Sequence, residues 1–488
     1  MSFHLTLPNS VTKDSVAVVW DRADNAEQYE VFVNGRLYAN TKKTHCTITD
    51  LNADSNYEIY VTANNIKSNT ICAKTKVDFD IFNVLDFGAV GDGKTVNTAA
   101  IQNAIDKCCD GGTVYIPDGV FVSGAIFLKS NMTLCVDGVL LGSRNIRDYP
   151  IMRYRFEGME QDCYASLVNT GNAENQNITV CGKGTINANG MPLYRAELDE
   201  NKGKRGRAVC IRNTDGLYIK DITIRESPSW CLHTIYCNNV TFNNIKIHTK
   251  YNEQGEKLNI HNGDGIDIDS TKNVYIFNSM IASQDDCIAI KSGRDDEGRK
   301  VGIASGNIRI SDCTFNSGFG VAIGSEMSGG VKNVYVSDCD FKDTYSIGSV
   351  KAPRGRGGMI DNIVYENCTL DNENTEYSDC KWFRGGIYID QFYSHDDFDI
   401  DKKEIVNDGT AKISNIKFKN IKLKTVTGNA IYLAGLAESF LENITLENIN
   451  AIGKYGMKAY NIDRLKMDNV QVHSMEDKDY DLKNVREI

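Results

Sequence analysis

Three aspartates, Asp264, Asp285 and Asp286, are the side chains whose type and spacing could do chemistry; they lie in NGDGIDIDS at 262–270 and SQDDCIAIKSG at 283–293. Read singly, Asp264-Gly265 is a turn signal of the same kind as Asp92-Gly93 or Asp137-Gly138, and adjacent loop aspartates are ordinarily solvated. The interval changes that reading. Asp285 follows Asp264 by 21 residues, one coil of the repeat described below, so their carboxylates would stand on neighbouring rungs about 5 Å apart. Like charges so placed must share protons or be tuned apart. Glycosidic hydrolysis needs a carboxylic acid to protonate the leaving oxygen and a carboxylate to activate water, and three aspartates can supply both.

A repeat has to position them. Nine segments share one template: 215–224, 238–247, 272–281, 306–315, 332–341, 361–370, 414–423, 442–451 and 463–472. Counted from the first apolar residue, mainly apolar side chains recur at offsets 0, 2, 5 and 7, as in Val274, Ile276, Ser279 and Ile281. Two short strands therefore alternate in and out across a bend. Units start 21 to 53 residues apart; the short intervals match one coil of a β-solenoid and the long ones carry rim loops. Offset 5 is Cys313, Cys339 and Cys368 in consecutive units, a buried thiol stack in place of aliphatics. The sequence thus predicts an all-β chain, a right-handed parallel β-helix over 79–488.

Ahead of it, residues 1–78 read as a small β-sandwich. SVAVVWD around Trp20, YEVFVNG from Tyr29, CTITDL and YEIYVTANN alternate, and Asn34-Gly35 is a hairpin signal. The placement of Trp20, Tyr29, Leu51 and Tyr57 resembles a fibronectin type III module, a spacer, docking wall or part of the active-site rim. Between module and repeat, 97–109 has helical period, with Ala100, Ile101, Ala104, Ile105 and Cys108 on one stripe and Thr98 as N-cap, and would cap the open end of the sheet.

Composition excludes several classes. The net charge of −11 repels nucleic acid and anionic membranes, and no polybasic run offsets it. No apolar stretch is long enough to span a membrane, and MSFHLTLPNSVTKDS lacks the regions of a signal peptide. Fifteen cysteines in no tight spacing pattern favour reduced thiols and a cytoplasmic setting over a disulfide framework. A secreted or periplasmic protein whose leader had been trimmed would read the same way.

FNVLDFGAVGDGKT, ITVCGKGTINANG, NGDGIDIDS, SQDDCIAIKSG and GFGVAIGSEMSGGV resemble, in order and spacing, the polygalacturonase family, glycoside hydrolase family 28. The resemblance implies a parallel β-helix, an inverting mechanism without metal or organic cofactor, and a pectic oligosaccharide as substrate. By motif, Asp285 would be the general acid, and Asp264 and Asp286 would hold and deprotonate the attacking water. Three positions depart from the pattern. Asn-Thr-Asp reads Asn262-Gly263-Asp264, Gly-His-Gly reads Gly318-Phe319-Gly320, and Arg-Ile-Lys reads Ser349-Val350-Lys351. Serine cannot replace an arginine fork on a carboxylate, whereas Phe319 offers an apolar face to a sugar. A leaving-side unit other than plain galacturonate would fit, including that of a rhamnogalacturonan-type or other modified-pectin substrate.

Other candidates follow. Lys351 keeps its family position, and Lys291 and Arg294 in AIKSGRDDEGRK resemble the exo-acting branch. Arg354 and Arg356 read as loop charges, Trp230 as a stacking platform or core packing, and His233 and His261 as structural. Insertions at 249–262 and 371–413 would close one end of a groove and favour attack on terminal units. A calcium-dependent eliminase and a non-catalytic carbohydrate-binding solenoid are the competing readings.

Overall fold

The computed structural model describes residues 3–23, 25–200, 203–377, 380, 382–393 and 398–488. The template stacks in the register it implies. Leu217, Val240, Val274, Ile308, Val334, Ile363, Ile416, Ile444 and Leu465 oppose one another on successive parallel strands, and all nine are buried. Each such aliphatic contributes about 1.5–3 kcal/mol by leaving water. A one-residue slip would bring polar neighbours inward, so the register is strongly specified. The coils form one sheet of 33 strands wound as a right-handed parallel β-helix.

The corners are set by asparagine and aspartate. Asn239, Asn273, Asn307, Asn333, Asn362, Asn415 and Asn443 precede offset 0, and Asn244, Asn278, Asp312, Asp338, Asn367, Asn420, Asn448 and Asn469 precede offset 5; all have positive φ. These residue types tolerate the left-handed region because their short side chains bond locally. The amides also bond along the axis, as in Asn307 to Asn273 at 3.0 Å, Asn333 to Asn307 at 3.0 Å and Asn362 to Asn333 at 2.9 Å. Three further coils precede the nine: Val114, Leu134, Val180 and Ile219 form one ladder.

The helix Thr98–Lys107 covers the first coil with Ile101, Ala104 and Ile105. Asn97, not Thr98, is its N-cap residue. The Thr98 hydroxyl instead accepts from Gly124 N at 2.7 Å, tying the helix start to the next turn. Among the described residues all fifteen cysteines are free thiols, and Cys313, Cys339 and Cys368 are buried in the core.

Near the N-terminus a three-stranded and a five-stranded antiparallel sheet share a core of Trp20, Tyr29, Val31, Ile59 and Val61. Asn34 and Gly35, with φ of 50° and 75°, join Tyr29–Val33 to Arg36–Thr41 as a hairpin. This unit packs on the solenoid. Ala17 and Val19 pack on Phe277, Arg309 Nη2 donates to Trp20 O at 2.7 Å, and Thr44 N donates to Asp312 Oδ2 at 3.1 Å. Those solenoid residues belong to the strands Lys272–Phe277 and Ser305–Ser311 and their following corner, a different ladder from the one that carries the acids.

Candidate active site

The acids sit on the ladder formed by Leu232–Ile235, Ile266–Asp269, Ile288–Lys291, Val321–Gly324 and Gly348–Lys351. In IDID, Ile266 and Ile268 join the core, so alternation turns Asp267 and Asp269 to the opposite face. Ile266 pairs with Ile288, 22 residues on, so the ladder sets Asp264 level with Asp286 rather than Asp285. Gly265 N donates to Asp286 O at 2.9 Å. Asp285 is one step earlier, at the turn, and partly exposed.

The three side chains converge. One carboxylate oxygen from each of Asp264, Asp285 and Asp286 lies within 4.8 Å of the other two. A triangle with edges of that length has its centre about 2.8 Å from each corner, so one water there meets all three at hydrogen-bond distance. The same oxygens could ligate a hard cation; Lys351 and Lys291, both within reach of the acids, oppose a second positive charge.

Environment separates the acids. Burial pushes Asp264 well above the usual carboxylate range, and the charges of Asp267 and Asp285 push it further; its Oδ1 has no hydrogen-bond partner. Burial also raises Asp286, but Lys351 moderates the effect by donating to both oxygens, at 2.9 and 2.7 Å. Lys351 reaches Asp286 across a coil whose outward positions are Ala322 and Gly324, which leave its stem room. Burial and like charge thus favour the neutral form at Asp264, while Lys351 favours the charged form at Asp286.

A polar lobe adjoins the acids around Lys291, at the end of the strand Ile288–Lys291. Asp267 is buried and raised by that burial, against the pull of Lys291. Lys291 Nζ donates to Glu326 at 2.9 Å, lies 3.7 Å from Asp267 and stands 4.6 Å from the centre of the Trp230 ring. Burial works against charge on Glu326, yet Lys291 and Arg356 hold it down at about 2. Arg155 reaches Asp269 at 3.1 Å, and His233, 3.6 Å from Asp269, is lowered by burial to about 3. Arg155 comes from the hairpin Ile151–Phe156 and Met159–Tyr164, which is also clamped by Glu160 on Arg212 at 2.8 Å. The hairpin walls this end.

The part of the chain that carries these residues matches a known family. Residues 113–474 match the model for glycosyl hydrolases family 28. The chain belongs to glycosyl hydrolases family 28. It is 30% identical to a probable polygalacturonase of Vitis vinifera, over 75% of this chain and 73% of that protein. It is 27% identical to the exo-poly-alpha-D-galacturonosidase of Dickeya chrysanthemi, over 73% and 72%. The fold is shared with the family 28 exopolygalacturonase of Yersinia enterocolitica, with a TM-score of 0.80 at 20% identity over 99% of this chain and 98% of that one.

In this family 28 glycoside hydrolase, the structure brings Asp264, Asp285, Asp286, Lys351 and Lys291 together and moves three named residues aside. Phe319 is 2% exposed. It stacks on Tyr345 at 5.0 Å and meets Tyr377, Trp382 and Phe383, so its ring faces are taken by protein and the expectation of an open sugar platform is corrected. Trp230, also 2% exposed, is stacked on Phe156 and carries Lys291, which makes it packing. The Arg294 guanidinium pairs with Glu157 and Asp295, while its backbone N donates to Gly158 O at the hairpin tip at 3.1 Å. It positions the wall. Arg354 is bound to Glu438 at 2.7 Å and Arg356 to Asp295 at 2.6 Å. Asp267, Asp269, Glu326, Arg155 and Arg207, whose guanidinium lies 5.4 Å from the centre of the Trp230 ring, were not singled out in the sequence. The first two had a signal, since carboxylates alternating with isoleucines in a strand mark a charged face.

Proposed function

We propose that this enzyme releases galacturonate from the ends of pectic oligosaccharides by single displacement with water. The observation that carries the reading is the triangle of carboxylate oxygens beside Lys291 and Lys351. Asp285, the most accessible of the three, protonates the glycosidic oxygen, and that oxygen leaves with the proton on its sugar. Asp264 and Asp286 hold the water, and Asp286, paired with Lys351, takes its proton as the water oxygen bonds to the anomeric carbon. The carboxylate of the bound sugar is met by the cationic lobe. Exo action is supported by the hairpin wall, by Tyr377, Trp382 and Phe383 packed about Phe319 on the other flank, and by the exo-acting relative. The N-terminal unit, fibronectin type III-like in its two-sheet build, serves as a fixed spacer on a face away from the acids.

A pectin polymer is met outside the cell, so export is the better supported place of action, against the cytoplasmic expectation. No described helix is long and apolar enough to cross a membrane.

Proton NMR of a fresh digest tests the chemistry. Free galacturonate should appear first, as the anomer inverted from the cleaved bond, and Asp285→Asn should lower turnover by about a thousandfold or more. Retained configuration, early release of long oligomers only, or an unsaturated product lost on chelation would each overturn the proposal.

A further inference from the structure

The corner residues ahead of offset 0 form a column of amides along the rod, and the column has a gap. Asn177, Gly216, Asn239 and Asn273 follow one another on successive coils, and Gly216 has no side chain to contribute. On one side of the gap Asn177 donates to Asn131 Oδ1 at 3.0 Å, while its own Oδ1 meets no donor among the described residues. On the other side Asn239 turns to the Asp215 carboxylate at 2.7 Å, which also accepts from Asn238 at 3.2 Å. A Cβ built on Gly216 would stand 3.0 Å from Asn177 Oδ1, so the missing side chain is the one that would cover that oxygen.

At the gap a cavity of about 530 Å³ opens between the coils and the N-terminal unit, which supplies Leu7, Pro8 and Asn9 as one wall. That is the size of an ordinary small-ligand site. The Tyr275 hydroxyl and the side-chain amides of Asn9 and Gln176, all on its lining, bond to no described residue. Tyr275 also lines a second recess of about 270 Å³ with Asn307 and Asn333, so the polar seam continues along the rod. Asp215 is the one charged residue among the described lining of the larger cavity. The seam follows the ladder of Lys272–Phe277, not the ladder that carries the acids.

These groups set the chemistry of an occupant. Amides and a phenol both donate and accept, as sugar hydroxyls do. An apolar ligand would leave them unpaired, and a lining with a carboxylate and no cation repels an anionic chain. We infer that the seam at Gly216 is a second carbohydrate site, which takes an uncharged oligosaccharide and holds it clear of the acid triangle. Occupied, it anchors the enzyme on a neutral stretch of polysaccharide and raises the local concentration of chain around the acids.

Calorimetric titration of the Asp285→Asn protein with galactotetraose and with cellotetraose tests this, with saturating tetragalacturonate present to fill the acid site. At least one neutral tetrasaccharide should bind with a Kd on the order of a millimolar or tighter. Gly216→Asn restores the amide found at the neighbouring corners, in a backbone conformation that asparagine tolerates. It should weaken the binding by about tenfold or more while the melting temperature stays at or above that of the parent. Should Gly216→Asn fail to fold, Tyr275→Phe decides in its place, with an expected loss of about three- to tenfold from the hydroxyl alone. Binding by neither tetrasaccharide, binding that tetragalacturonate abolishes, or unchanged affinity in the deciding variant overturns the inference.

Discussion

At the residue scale the decisive fact is that burial and neighbouring charge sort three chemically identical groups. Burial, together with the charges of Asp267 and Asp285, favours the neutral form of Asp264, and its Oδ1 has no hydrogen-bond partner among the described residues. This has a consequence for stability. A carboxyl raised in the folded state ionises more easily when the chain is unfolded, so folding stability falls as pH rises above the unfolded aspartate value of about 3.9. Asp264→Asn removes that penalty. Its melting temperature should exceed that of wild type by roughly 2 °C or more at pH 7, converge with it near pH 4, and accompany lost turnover. Equal offsets at both pH values in calorimetry would refute the assignment. The aspartates were legible because spacing and type coincided. Lys291 and Lys351 were legible from their motifs. Arg155 and Glu326 were not, because each approaches from a segment more than 30 positions from its partner. Phe319 was misjudged because no pattern in GFGVAIG announces that residues near 345 and 383 will cover it.

Elements decide which way the groove opens. The hairpin at 151–164 lies in an insertion between coils, and nothing in its alternation marks it as a wall rather than another rung. The repeat, by contrast, was readable across nine coils because offsets 0, 2, 5 and 7 are fixed by the alternation of strands. The earlier coils escaped notice through shorter strands and unequal spacing. The hairpin depends on Gly158, whose φ is +77° and whose position would put a Cβ 2.7 Å from Arg294 Cβ. Gly158→Val should therefore dislodge the tip from Arg294 and the helix Asp295–Val301. We expect a product ladder shifted from monosaccharide toward oligomers, with the melting temperature within a few degrees of wild type because the core coils are untouched. An unchanged product profile would show that the hairpin does not set the cleavage mode.

For the whole molecule, the N-terminal unit and the acids occupy different sides of one rod. The unit is fixed by Arg309, Asp312 and Phe277, so its removal would expose Phe277 and leave Asp312 without the Thr44 donors. A chain beginning near residue 79 should unfold at lower temperature and aggregate more readily, while kcat per folded molecule stays within about twofold, since none of the unit's contacts reach the acids. A large loss of kcat with the fold intact would give the unit a part in substrate handling. The stacked coils carry one more implication. In a quasi-one-dimensional array each layer answers only to the layers above and below it. The catalytic layers are few and adjacent, and the rest of the rod is a spine of interchangeable storeys. Duplicating a storey well beyond the aromatic flank would lengthen the rod without altering the reaction, whereas inserting one between Asp264 and Asp286 would pull apart the two carboxylates that hold the water.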